Sequence, residues 1–282
     1  MLRVLAGFVV LYAAVYAIRV IMGVGPNLLM KYFGASAGFR AFIGSTLNYG
    51  VGIVSYILFT AIALRRVLHV DPWPRLFPFR KGWWQQLVGG FLLVAAVLSL
   101  FFITETSAGW LSVTAWNWNM LPGIDWLRLV WVGLLVNVGV AIGEETIFRG
   151  YLLTGLRLAW GKWIGLLAMT IIFGLFHLPA YMSDAMGSGP LTLAVMLASA
   201  FGLLFGVVYL RTGSLWLPAG LHFAWNFVEN DLLNLTADSS NVNLVGALTT
   251  TSLPPMTVVL LEALALAVIA LCIGLWMRRP LR

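Results

Sequence analysis

Apolar stretches of membrane-spanning length follow one another from one end of this chain to the other. About 20 such residues cross a bilayer. On that rule eight spans are expected, at about 4–30, 41–64, 86–104, 126–148, 162–178, 191–211, 214–232 and 256–277. The fifth and seventh are short, and each carries a histidine. The expected fold is an all-α polytopic membrane bundle, one integral membrane domain over 1–282, because no loop is long enough to form a soluble domain. Composition agrees: 10% of residues are charged and 61% hydrophobic, whereas soluble domains carry about 25% charged residues.

The formal net charge is +7. The basic residues do not gather on one soluble face, which argues against a nucleic-acid partner; they punctuate the ends of apolar stretches. Arg65, Arg66, Arg75, Arg80 and Lys81 lie between spans two and three, Arg149, Arg157 and Lys162 between four and five, and Arg211 ends span six. Arg278, Arg279 and Arg282 close the chain. The alternate loops, about 105–125, 179–190 and 233–255, hold Glu105, Asp125, Asp184 and Asp238 and no Lys or Arg. Only Lys31 and Arg40 break the pattern, and the positive-inside rule then puts both termini in the cytoplasm, of a protein expected in the cell membrane. Apolar character continues past Arg19 to about Met30, too long for a usual signal-peptide core, so a retained first span is expected. The single cysteine, Cys272, excludes an intramolecular disulfide and a Cys-based zinc site. Prolines at 72, 74 and 78 make the basic loop non-helical there. Apolar residues at 152, 153, 156 and 159 around Arg157 suggest a short helix on the cytoplasmic surface over Tyr151–Trp160.

Three polar motifs interrupt this apolar background. In Gly143-Glu144-Glu145-Thr146-Ile147-Phe148-Arg149-Gly150, residues four apart share a helix face, so Glu145 meets Arg149 and is neutralised as an ion pair. Glu144 faces away and has no local partner, which suits a general base. The bland alternative is two solvated acids at the end of a span. Phe173…His177 ends at Pro179; the histidine serves either a site or helix–helix packing. His222 and Asn226 lie one turn apart on one face, where they suit an oxyanion site or interhelical packing. Pro218 and Gly220 before them would loosen that helix and open a cavity.

Taken together, Glu-Glu-x-x-x-Arg, Phe-x-x-x-His and His-x-x-x-Asn, in that order, resemble the CPBP family (CAAX protease and bacteriocin-processing, also Abi) of intramembrane glutamate-type endopeptidases. The resemblance covers about 126–232. It implies that Glu144 activates a water, that His177 binds and orients it, and that His222 and Asn226 stabilise the oxyanion, with Glu145 and Arg149 in support. It implies a membrane-associated peptide or protein substrate, in relatives a lipid-modified one, and no cofactor. A catalytic zinc on two His and one Glu is the alternative, disfavoured because no two histidines lie within a turn of each other. A proton-coupled transporter and a membrane scaffold that binds another membrane protein are the competing functions.

Straight spans do not put these residues at one depth. Glu144 would lie about five residues from the cytoplasmic end of span four and His177 about fifteen from Lys162, roughly 22 Å. Tilt, a later start of span five, or a submerged segment over Tyr151–Trp163 would reconcile them. The sequon Asn234-Leu235-Thr236 falls on an expected exterior loop.

Overall fold

The computed structural model describes residues 1–116, 123–179, 191–235 and 247–276. Helices α1 (Leu2–Tyr32) and α2 (Ala37–Arg66) form an antiparallel pair that turns at Gly34, whose φ is 75°. The Ser36 hydroxyl accepts the Phe39 N–H at 3.3 Å and caps α2. Next come α3 (Trp83–Ser107) and β1 (Leu111–Trp116). Helix α4 runs Gly123–Glu144, widens into a π-helix over Glu145–Leu153 and finishes as α-helix over Thr154–Trp160. After α5 (Lys162–Phe176) and α6 (Leu191–Thr212), helix α7 runs Trp216–Ala224 and also continues as a π-helix, over Trp225–Leu233. Strand β2 (Ala247–Thr251) pairs antiparallel with β1, Leu111 opposite Thr251 and Trp116 opposite Ala247, before α8 (Pro255–Trp276).

Helices occupy most of the described residues of the expected spans, and the chain is an integral membrane protein. Among the described residues, six helices are long and apolar enough to cross a bilayer; α5, at 15 residues, is shorter. Glu105, expected in an outer loop, belongs instead to the last turn of α3 and is buried.

Span four differs most from expectation. The apolar residues at 152, 153 and 156 do not rest on a membrane surface. Tyr151, Leu152, Leu153 and Leu156 are each 0% exposed, packed in a core with Val4 and Leu11 of α1, Leu64 of α2 and Leu166 of α5. The helix emerges only at Leu158 and Trp160. Helix α4 thus continues past the polar motif, buried in protein as far as Leu156, and the chain turns back at Gly161 with φ 83°. Glu144 lies 17 residues before that turn and His177 16 after it, about 25 and 24 Å along two antiparallel helices.

Glycines set the close helix crossings. A Cβ at Gly202 would meet the Phe173 side chain at 3.2 Å, and one at Gly206 would meet Leu166 and Met169 at 2.5 and 2.8 Å, so this small-residue pair seats α6 on α5. Gly220 rests against the Leu87 backbone, and a Cβ at Gly90 would meet the Leu217 carbonyl and the Leu221 N–H at 3.1 Å. Gly220 is thus a packing residue against α3 and Pro218 is buried in a regular helix, rather than the loosened segment expected from sequence. Asn234, the first residue of the sequon, is 4% exposed, with left-handed backbone (φ 47°), and offers no accessible amide for a glycan.

Candidate active site

Glu144 and Glu145 end the α-helical part of α4 and begin its π segment. π-bulges are a recurrent feature of functional sites. The separation of the two acids expected from helix geometry is present. Arg149 Nη1 donates to Glu145 Oε1 at 2.7 Å, with both side chains 0% exposed. The guanidinium also points Nη2 towards the Phe201 and Gly202 carbonyls, at 3.5 and 3.4 Å. It lies 4.3 Å above the Phe173 ring and 5.3 Å from that of Phe205. These rings belong to the two apolar clusters of the molecule, one built on α1, α2, α4 and α5, the other on α3, α6, α7 and α8. Arg149 therefore sits at the seam between them, and an aromatic face is a favourable place for a desolvated guanidinium.

His177 is fixed by the way α5 ends. Its backbone N–H turns to the Gly174 carbonyl at 3.2 Å. The Phe173 carbonyl, left without that partner, accepts from His177 Nδ1 at 2.8 Å. A helix C-terminus leaves such carbonyls unpaired, and here the side chain of the capping residue takes one. A carbonyl only accepts, so Nδ1 carries the proton and Nε2 of the neutral ring presents a lone pair. That Nε2 lies 3.6 Å from Glu144 Oε2.

His222 comes from the opposite side. Its Nδ1 donates to Glu145 Oε1 at 2.9 Å and its Nε2 lies 3.9 Å from Glu144 Oε2. The same carboxylate oxygen thus receives Arg149 and His222, a link the sequence reading did not contain. A further bond ties α7 to α4: Asn137 Nδ2 donates to the Asp231 carboxylate and, at 2.8 Å, to the Gly133 carbonyl. Asn226 stands four residues beyond His222 on the π segment of α7, half-buried. The structure thus gathers Glu144, Glu145, Arg149, His177 and His222 into one cluster, from helices α4, α5 and α7. Among the described residues, no group of three or more His, Cys, Asp or Glu side chains is arranged to hold a metal ion. His69, in the basic loop outside the site, is exposed.

Glu144 lines a partly open cleft of about 80 Å³ between α1, α2, α4 and α5. Tyr12, Arg19, Tyr56 and Phe176 are among its walls. None of these was selected from sequence. The missed signal was Arg19, a charge in mid-span, which in a membrane protein marks a functional position by default.

Residues 126–228 match the family model described as type II CAAX prenyl endopeptidase Rce1-like. Over this segment the chain is similar to the Rce1-like CAAX protease family. The family is one of peptide hydrolases, and the matched segment takes in all three polar motifs. The Rce1-like segment covers α4, α5, α6 and most of α7 and leaves α1, α2, α3 and α8 outside it. No curated protein and no solved structure matches the chain.

Proposed function

We propose that the protein is an intramembrane endopeptidase in which Glu144 is the general base. The observation that carries this reading is the pairing of Glu144 Oε2 with His177 Nε2 at 3.6 Å. Both atoms are acceptors when the ring is neutral, since Nδ1–H is committed to Phe173. Two acceptors side by side at that spacing suit one water that donates a proton to each and turns its remaining lone pair outward. The water oxygen attacks the scissile carbonyl carbon while its proton passes to Glu144. The tetrahedral intermediate then collapses, the C–N bond breaks, and Glu144 returns the proton to the leaving amine. Glu145 and Arg149 position Glu144 and His222.

Asn226 and His222 are the proposed oxyanion donors. With Nδ1–H bonded to Glu145, His222 donates from Nε2 only as the imidazolium; Asn226 donates as it stands. The substrate is a membrane-associated peptide or protein. The family's description favours a prenylated one, cut at a C-terminal Cys-aliphatic-aliphatic-X sequence. No resident metal is assigned. Both termini face the cytoplasm of a cell-membrane protein.

The test is to compare peptide termini, by mass spectrometry, in membranes expressing the wild type or Glu144→Gln at matched levels. New termini found only with the wild type support proteolysis and reveal the substrate. Identical termini in membranes that contain the partner would move the assignment to a scaffold.

A further inference from the structure

The cleft beside Glu144 holds a second charge that hydrolysis does not use. Arg19 lies 17 residues from the start of α1 and 13 from its end, about 25 and 20 Å from either terminus of the helix. A guanidinium at that depth is costly and marks a site. Among the described residues no carboxylate lies within ion-pair distance of it. It is held instead by neutral groups. Nε donates to Asn48 Oδ1 at 2.9 Å and Nη1 to the Tyr56 hydroxyl at 3.1 Å. The guanidinium lies 4.5 Å over the Tyr49 ring. At Gly52 a Cβ would meet the Arg19 side chain at 3.1–3.3 Å, so the glycine makes room for the stem. Positions 48, 52 and 56 recur at one-turn spacing, with 49 beside them. One face of α2 is therefore shaped to a guanidinium, fixing its direction while no carboxylate among the described residues pairs with its charge.

Arg19 and Glu144 line the same cleft. Tyr56 is the wall they share: its hydroxyl holds Arg19, and a Cβ at Gly143, next to Glu144, would meet its ring at 2.5–2.8 Å. The geometry points to Arg19 as the residue that binds the C-terminal carboxylate of the peptide cut at Glu144. This rests on the endopeptidase reading. A lipid phosphate stays near the surface of a hydrocarbon layer about 30 Å thick, whereas Arg19 is near the middle of its helix. An anion that reaches it is carried in on a peptide, and a free C-terminus is the anion every such peptide has. An extended chain advances about 3.3–3.6 Å per residue, so the scissile bond lies only a few residues before that terminus. The fragment released is short.

The probe is one S-farnesylated peptide with cysteine fourth from its C-terminus, made as the free acid and as the carboxamide. Binding is measured on detergent-purified Glu144→Gln protein, which does not turn over, and cleavage on protein with Glu144 intact. The acid is expected to bind about tenfold or more tighter than the amide, as a charge-assisted contact would give. Arg19→Gln, added to either background, abolishes that preference, leaves the amide unaffected, and raises KM for the acid with little change in kcat. Arg19→Lys restores part of the preference, which a merely structural role would not predict. Equal binding of acid and amide, binding of neither, or a preference that survives Arg19→Gln overturns the assignment. Acid preference that depends on Arg19 without any cleavage keeps the assignment and defeats the hydrolytic reading instead. Cleavage indifferent to both the terminus and Arg19 does the reverse.

Discussion

Replacing Arg149 with Met tests what the buried pair does. Both partners are 0% exposed, so neither charge is softened by solvent. Removing one member of such a pair leaves the other uncompensated, at a cost of roughly 3–5 kcal/mol. His222 still offers Glu145 one N–H, at 2.9 Å, which offsets about 1 kcal/mol. The net loss is then about 2–4 kcal/mol. At roughly 2–4 °C per kcal/mol for a domain of this size class, Tm falls on the order of 10 °C. Removing Glu145 as well, in Glu145→Leu/Arg149→Met, takes away the stranded charge and recovers at least half of that fall. Hydrolysis does not recover, because His222 has lost the carboxylate that orients it. The single cysteine, half-buried on α8, allows the melt to be followed with a thiol-reactive fluorogenic dye at one fixed scan rate. A single variant that melts within about 2 °C of wild type, or a double variant no more stable than the single, would refute the reasoning.

Glu144→Gln should lower hydrolysis by about 10²–10⁴ and leave Tm unchanged, since Glu144 Oε2 has no hydrogen-bond partner among the described residues; turnover and melting of the same preparation decide it. Gly220→Ala drives a Cβ into the Leu87 backbone, and its overpacking should cost about 1–3 kcal/mol and move α7, so that Tm and activity fall together; an active variant of normal stability would contradict the crossing described. Exhaustive chelation should leave hydrolysis intact, and a loss restored by zinc would instead make Glu144 and the two histidines ligands. Reporters fused to the two ends should both score as cytoplasmic in a topology assay; a split result would break the charge-based orientation.

The all-α membrane bundle and the polar motifs were legible because bilayer length, apolar composition and four-residue spacing leave few alternatives. The Glu145–Arg149 pair follows from spacing alone. The Glu145–His222 bond does not, since it joins residues 77 apart in sequence. The burial of Tyr151–Leu156 was misread because an apolar face beside one basic residue is the same pattern whether it lies on lipid or in a core. Neither π segment has a signature in the sequence. Arg19 is visible in the sequence as a charge inside the first span, but its meaning comes from Asn48, Tyr49, Gly52 and Tyr56 on another helix.

The turn at Gly161 makes α4 and α5 into a pair of calipers. The two arms are nearly equal, 17 residues to Glu144 and 16 to His177, and their tips close on one spot. Lengthening either arm by one residue would slide its tip by about 1.5 Å and rotate it by roughly 100°. Insertions between 145 and 176 should therefore abolish activity even where the helices tolerate them. Two compensating insertions, one in each arm, would restore matching depth but not matching direction. The instrument can be scaled only in whole turns, so related chains with thicker or thinner jaws should differ in arm length by three or four residues at a time.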